Sequence, residues 1–220
     1  MQTEYGSLND FPTYGISEAA FYLRLSYGLV RNWTLKSGLL EVNAKGLLSF
    51  NDLLELHVLK GLRRVHGLSL PRIRAALEQY QQEYATRHPL LDPRFETDGI
   101  SLFLHQDGNY INMNRSKQLA IPAIVSTYMR RIVTGELGER HFFPFIVEES
   151  NAESKSVQIS PTIAFGKPVL AGTGISTEVV AGRFLARDSV AELAEEYQVD
   201  QAKIEEAIRW ELPHIVNAAA

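Results

Sequence analysis

The chain contains no cysteine among its 220 residues, which excludes disulfides and thiolate metal sites and fits a reducing compartment. No apolar run approaches the roughly 18 residues that a membrane-spanning helix needs. The opening residues, MQTEYGSLNDF, carry neither a basic start nor an apolar core. A secretion signal is therefore not expected, and the cytoplasm is the expected compartment. The histidines are few and scattered: His57, His66, His88, His105, His141 and His214. None pairs with another at metal-ligand spacing. His57 and His66 fall on an amphipathic helix and read as surface or boundary residues. Glu148-Glu149 reads as a solvated linker, and no Gly-x-Ser-x-Gly or working pair of carboxylates is evident. Neither catalysis nor a bound metal or cofactor is expected.

What is present is an ordinary globular composition, 45% apolar and 22% charged, with a net charge of −4. That balance argues against indiscriminate nucleic-acid binding, but the charge is uneven. Residues 1–77 sum to +3, residues 78–149 to −3 and residues 150–220 to −4. The positive field sits on the N-terminal third, where a nucleic acid would be met.

The pattern predicts a mainly α protein with small β elements in three segments: a winged helix-turn-helix (1–88), a middle hairpin-and-helix region (89–150) and a C-terminal helical domain (151–220). In the first, Ser17 is expected to cap a helix and Ser26 a second one over Tyr27–Trp33. Two short strands between Gly38 and Phe50 would form a wing. Ser49 then caps a long helix through Val65, ended by Gly67, and Ser69 starts another with Pro71 in its first turn. In the middle, apolar runs at 100–104 and 110–113 flank Asp107-Gly108 and predict a hairpin. A helix over Leu119–Val133 would follow, with Ile121, Ile124, Val125, Tyr128, Met129 and Ile132 on one face.

In the C-terminal segment, Asp188–Trp210 reads as two brief helices split at Tyr197-Gln198-Val199. Asp188 or Ser189 would cap the first and Asp200 the second. Ala194 leaves room for a close crossing, the layout of a second helix-turn-helix. Upstream, Gly166-Lys167-Pro168 and Gly172-Thr173 form a glycine- and proline-rich motif loop. It is not a phosphate-binding P-loop, because Pro168 stands where Ser or Thr is required.

The order of parts over about 16–77, with ISEAA, Val30-x-x-Trp33 and HGLSLPRIRAAL, resembles the winged helix-turn-helix of MerR-type regulators. The resemblance implies that the second helix enters the major groove and presents Ser26, Tyr27, Arg31 and Asn32. Arg31 and Asn32 are candidate readers of guanine and adenine, while Lys36, Lys45, Arg63, Arg64 and Arg72 would hold phosphates. Where MerR proteins usually carry an Arg-Tyr-Tyr-like sequence after the wing, this chain has Leu47-Leu48-Ser49-Phe50.

Residues 157–211, from Gly166-Lys167-Pro168-Val169 through Gly172-Thr173 and Ile175 to the helix pair, resemble the domain-of-unknown-function 433 family. The whole chain resembles the longer VapB-type antitoxins. That resemblance implies an antitoxin of a type II toxin–antitoxin system, a repressor that silences a PIN-type ribonuclease toxin and binds its own operator DNA. A homodimer is expected because helix-turn-helix proteins usually read two half-sites through two-fold symmetry. A PIN active site holds Mg²⁺ in carboxylates, so Lys167, Arg183 or Arg187 would be the cation that blocks it. Ile204, Ile208 and Trp210 would contact the toxin or a second copy. Two alternatives stay open: a stand-alone MerR-like transcription regulator with a ligand- or protein-binding tail, and an enzyme that holds phosphate in the Gly166–Gly174 loop.

Overall fold

Serine punctuates this fold: Ser26, Ser49, Ser69, Ser176 and Ser189 each stand immediately before a helix. Four of them accept a hydrogen bond from a backbone N–H of the first turn, at 3.3 Å for Ser26 (from Leu29), 3.1 Å for Ser49 (from Asp52), 3.2 Å for Ser176 (from Glu178) and 3.2 Å for Ser189 (from Glu192). Each bond satisfies a donor that the helix itself cannot use. The computed structural model describes residues 7–40, 45–64, 68–96, 115–136, 138–146 and 154–218. The chain divides into two compact units, 1–130 and 131–220, so the middle segment expected over 89–150 is shared between them.

In the first unit, α1 (Ile16–Tyr22) and α2 (Tyr27–Arg31) form the short helix pair, and α2 runs on into a π turn, Asn32–Lys36. The long helix α3 (Phe50–Arg64) is followed by α4 (Leu70–Tyr84), by 3-10 turns at Pro89–Leu91 and Pro93–Glu96, and by α5 (Arg115–Met129). Tyr14 and Leu48 form an antiparallel bridge, so Leu48 pairs with the segment before α1, and no strand pair joins 38–40 to 45–49 among the described residues, where two wing strands were expected. Helix α3 is buried at every position from Phe50 to Leu59 and again at Gly61 and Leu62. Its polar side chains must therefore find partners inside the protein. His57, expected at the surface or boundary, is 2% exposed. Its Nε2 lies 3.2 Å from the Tyr128 carbonyl and its ring packs on the Tyr128 ring. An amphipathic period shows which face is apolar, but not that α5 covers the other one.

The second unit opens on two antiparallel pairs. Strand β1 (Ile132–Thr134) pairs with β2 (Arg140–Phe142), matching Ile132 to Phe142, and β3 (Val157–Gln158) pairs with β4 (Val169–Leu170), matching Val157 to Leu170. A bridge between Phe142 and Ile159 links the two. Three helices follow: α6 (Thr177–Leu185), α7 (Val190–Tyr197) and α8 (Gln201–Ala218). Their core is Leu170, Val180, Leu193, Ala194, Ile204, Ala207 and Ile208. Buried Arg131 organises the strands, donating to the carbonyls of Phe143, Pro144 and Ser154 at 2.5, 3.0 and 2.6 Å. Burial lowers its pKa to about 10, opposed by the charge of Glu206.

Several expected boundaries move. Gly15, not Ser17, caps α1, and the Glu18 carboxylate returns to the Gly15 N–H at 3.3 Å. Helix α2 ends at Arg31 rather than Trp33, and the middle helix ends at Met129, which leaves Ile132 in a strand. The expected turn of the wing (41–44), the helix stop at 65–67 and the 100–113 hairpin lie outside the described residues. No helix among the described residues is long and apolar enough to cross a membrane.

Gly61 faces the Tyr128 ring so closely that an added Cβ would stand 2.6 Å from it. Gly61→Ala should cost about 1–3 kcal/mol through overpacking between α3 and α5. Urea unfolding measures this, and an unchanged midpoint and slope would contradict the packing described.

Candidate nucleic-acid interface, partner-contact loop and buried polar cluster

Helix α2 sorts its residues by face. Val30 and the following Trp33 are buried, whereas Ser26, Tyr27 and Arg31 are exposed and Asn32 is half-buried. The Ser26 cap spends that side chain on Leu29, so Ser26 serves the helix first and any groove contact second. The candidate phosphate contacts Lys36, Lys45, Arg63, Arg64 and Arg72 are all exposed. Arg63 also donates to the Leu68 carbonyl, which ties the end of α3 to the entry of α4. Lys60, not singled out from sequence, donates to the Leu23 carbonyl at 3.0 Å and fixes the end of α1 against α3.

In the second unit the motif loop is a folded turn. Ala164 and Phe165 both have positive φ, 46° and 55°, and Gly166 and Gly172 follow at 80° and 82°. Phe165 stands 92% exposed. Gly166 and Pro168 are buried, Lys167 is exposed, and Thr173 caps its own turn by donating to the Leu170 carbonyl at 2.8 Å. The loop is held from behind by Gln158, whose Oε1 accepts from the Gly172 N–H at 3.2 Å.

The expected contact residues separate into two groups. Ile204, Ile208 and Trp210 are buried in the unit's own core, so they are not offered at its surface. Their helical spacing reported an apolar face that α6 and α7 already cover. Arg183 is also committed. It donates to Asp188 at 2.6 Å, to Glu196 at 2.5 Å and to the Tyr197 hydroxyl at 3.1 Å. These bonds hold the guanidinium well above its ordinary pKa, Glu196 contributing most, and tie α6 to α7. Asp188 is thus Arg183's partner, and Ser189 is the cap, with Glu192 returning to the Ser189 N–H at 2.8 Å. Lys167 and Arg187 are exposed, and Arg187 adopts a positive φ of 84°. Val179, Phe184 and Leu185 on α6 are exposed apolar residues of the same unit.

A third constellation escaped the sequence reading. His88 places Nδ1 3.0 Å from Glu55 Oε2 and Nε2 3.0 Å from Asp10 Oδ1. Asn51 donates to the same Asp10 oxygen at 2.7 Å, and Leu90 N–H donates to Glu55 Oε1 at 3.1 Å. Burial pushes the Glu55 carboxyl up, against the opposing hydrogen bond and charge of His88 and the Leu90 N–H. Burial works against a charged His88 ring, but the hydrogen bond and charge of Glu55, then Asp52 and Asp10, outweigh it and raise its pKa. These residues lie 33 and 78 positions from His88 in sequence, so no local spacing could reveal them.

Residues 157–210 match the family model described as a protein of unknown function, DUF433. No curated protein matches the chain. Among solved structures, the chain is similar to the crystal structure of Rv2018 from Mycobacterium tuberculosis, with a TM-score of 0.71 and 21% identity, covering 92% of this chain and 100% of that one. That likeness is one of fold.

Because Arg183 bridges two helices while Lys167 and Arg187 reach into solvent, Arg183→Ala should lower the melting temperature and the other two alanine variants should leave it unchanged. Differential scanning calorimetry checks this, and equal melting temperatures for all three would contradict the bridging role.

Proposed function

We propose that the chain is the antitoxin of a type II toxin–antitoxin pair, which neutralises a PIN-type ribonuclease and represses its own operon as a DNA-bound homodimer. The observation that carries the DNA half is the division of α2: Val30 and Trp33 anchor it while Tyr27 and Arg31 are left outward. A helix fixed by its apolar face and capped by Ser26 offers a rigid edge to a major groove. Arg31 on that edge suits bidentate pairing with guanine. Lys36, Lys45, Arg64 and Arg72 supply phosphate contacts that set register and salt dependence without reading bases. Two copies would read two half-sites through two-fold symmetry.

The toxin half rests on the resemblance to VapB antitoxins and is placed on the second unit, whose residues 157–210 match DUF433, a family of unknown function. Lys167 and Arg187 are the cations left for a carboxylate-lined active site, since Arg183 is held by Asp188 and Glu196. The exposed Phe165, Val179 and Leu185 supply apolar contact on the same unit.

The test is co-expression with the neighbouring open reading frame, using wild type and Arg31→Ala. Wild type should restore growth halted by the neighbour and repress a reporter fused to the upstream promoter. Arg31→Ala should still restore growth while losing about 1–3 kcal/mol of operator affinity and its base preference. Failure of wild type to rescue growth, with repression intact, would leave a stand-alone regulator. Unchanged affinity and preference in Arg31→Ala would remove Arg31 as a reader.

A further inference from the structure

We propose that Asp52, Glu55 and His88 form a binding site for one first-row divalent cation, of the Zn²⁺ or Mn²⁺ type, with Asp10 orienting the His88 ring from behind. This site is independent of the proposed DNA and toxin contacts.

One imidazole and two carboxylates place a ligand atom each within 4.8 Å of one another, and Asp52 and Glu55 are buried. Metal bonds of about 2.0–2.2 Å to imidazole nitrogen and carboxylate oxygen set neighbouring donors about 3 Å apart. The Nδ1 of His88 and Oε2 of Glu55 already stand 3.0 Å apart. Asp52, whose Oδ2 accepts from the Ser49 N–H at 2.7 Å, keeps carboxylate lone pairs for the third donor. The presence of an imidazole with two carboxylates favours zinc, manganese or a similar ion over calcium or magnesium, which prefer oxygen alone.

The outer layer of such a site is also built. A histidine that binds metal through one nitrogen commonly donates its other N–H to a carboxylate, which fixes the ring and its tautomer. Here Nε2 faces Asp10 at 3.0 Å, and Asn51 pins Asp10 in turn. The ligand Glu55 is oriented in the same way by the Leu90 N–H.

Access and room are present. The three residues line a cavity of about 400 Å³ together with Gly38, Leu39 and Gln81. Water entering there can complete the coordination that three protein donors leave open. An ion so placed would stitch α3 to the chain that follows α4, with Asp10 joining the 3-10 turn at Leu8–Asp10. Binding to the folded state alone would raise its stability.

The experiment takes the full chain, strips it with EDTA, dialyses it against Zn²⁺ and then against metal-free buffer. Retained metal is counted by mass spectrometry, and the His88 ring nitrogens are followed by ¹⁵N NMR. One retained equivalent, a metal-shifted Nδ1, a protonated Nε2 and a melting temperature raised by a few degrees are expected. His88→Gln should abolish retention, and Asp10→Asn should weaken it by about 10–100-fold. No retained zinc, or retained zinc with His88 still a doubly protonated imidazolium, would overturn the site and leave a salt-bridge clamp. The ring signals of the wild type decide the matter even if a variant fails to fold.

Discussion

The enclosure of helix α3 is the constraint on which the N-terminal unit depends. A helix buried along most of its length has no solvent to satisfy its polar side chains, and each one left without a partner costs about 1–3 kcal/mol. Every polar side chain from Asn51 to His57 is therefore met by a different neighbour. Asp52 turns back to the Ser49 N–H at 2.7 Å. Asn51 reaches Asp10, Glu55 reaches His88 and Leu90, and His57 meets the Tyr128 carbonyl. Apart from Ser49 at the start of α3 itself, those partners come from the first 3-10 turn, the segment after α4, and α5. The polar groups of one helix thus dictate which pieces of chain surround it, and apolar packing such as Gly61 against Tyr128 sets how closely they approach.

That arrangement bears on function because it leaves α2 at the edge. Val30 and Trp33 secure α2 to the unit, and its outward residues are free of structural duty apart from the Ser26 cap. The second unit shows the same economy with different chemistry. Its core is small, so capping and ion pairing carry much of the definition: Ser189 with Glu192, Thr177 with buried Glu211 at 2.5 Å, and Arg183 with Asp188 and Glu196. Side chains with no such task, Phe165, Lys167 and Arg187, face outward.

Local rules were legible in the sequence. Ser49 was legible as the cap of α3 and Asp188 or Ser189 as that of α7, and Gln198, with a φ of 54°, ends α7 where the break was expected. The helix order of the first unit and the folded character of the Gly166–Thr173 turn were legible too. Long-range facts were not. Periodicity assigned Ile204, Ile208 and Trp210 an apolar face but not the α6 and α7 side chains that bury it. It placed His57 on a helix without revealing α5 above it. His88 read as the end of a segment, because its partners Asp10 and Glu55 come from distant parts of the chain. Arg183 read as a free cation, although Asp188 and Glu196 lie close enough in sequence that an ion pair across the α6–α7 turn could have been anticipated.

The antitoxin assignment is tested most directly by the activity of the ribonuclease itself. Protein purified from the neighbouring open reading frame is assayed for cleavage of a fluorescent RNA in Mg²⁺ while the full chain is titrated in. Cleavage is expected to fall linearly to zero at a fixed stoichiometric ratio, with Lys167→Ala and Arg187→Ala together blunting this inhibition while Arg31→Ala leaves it intact. Cleavage that continues undiminished in excess of the chain would contradict the antitoxin assignment.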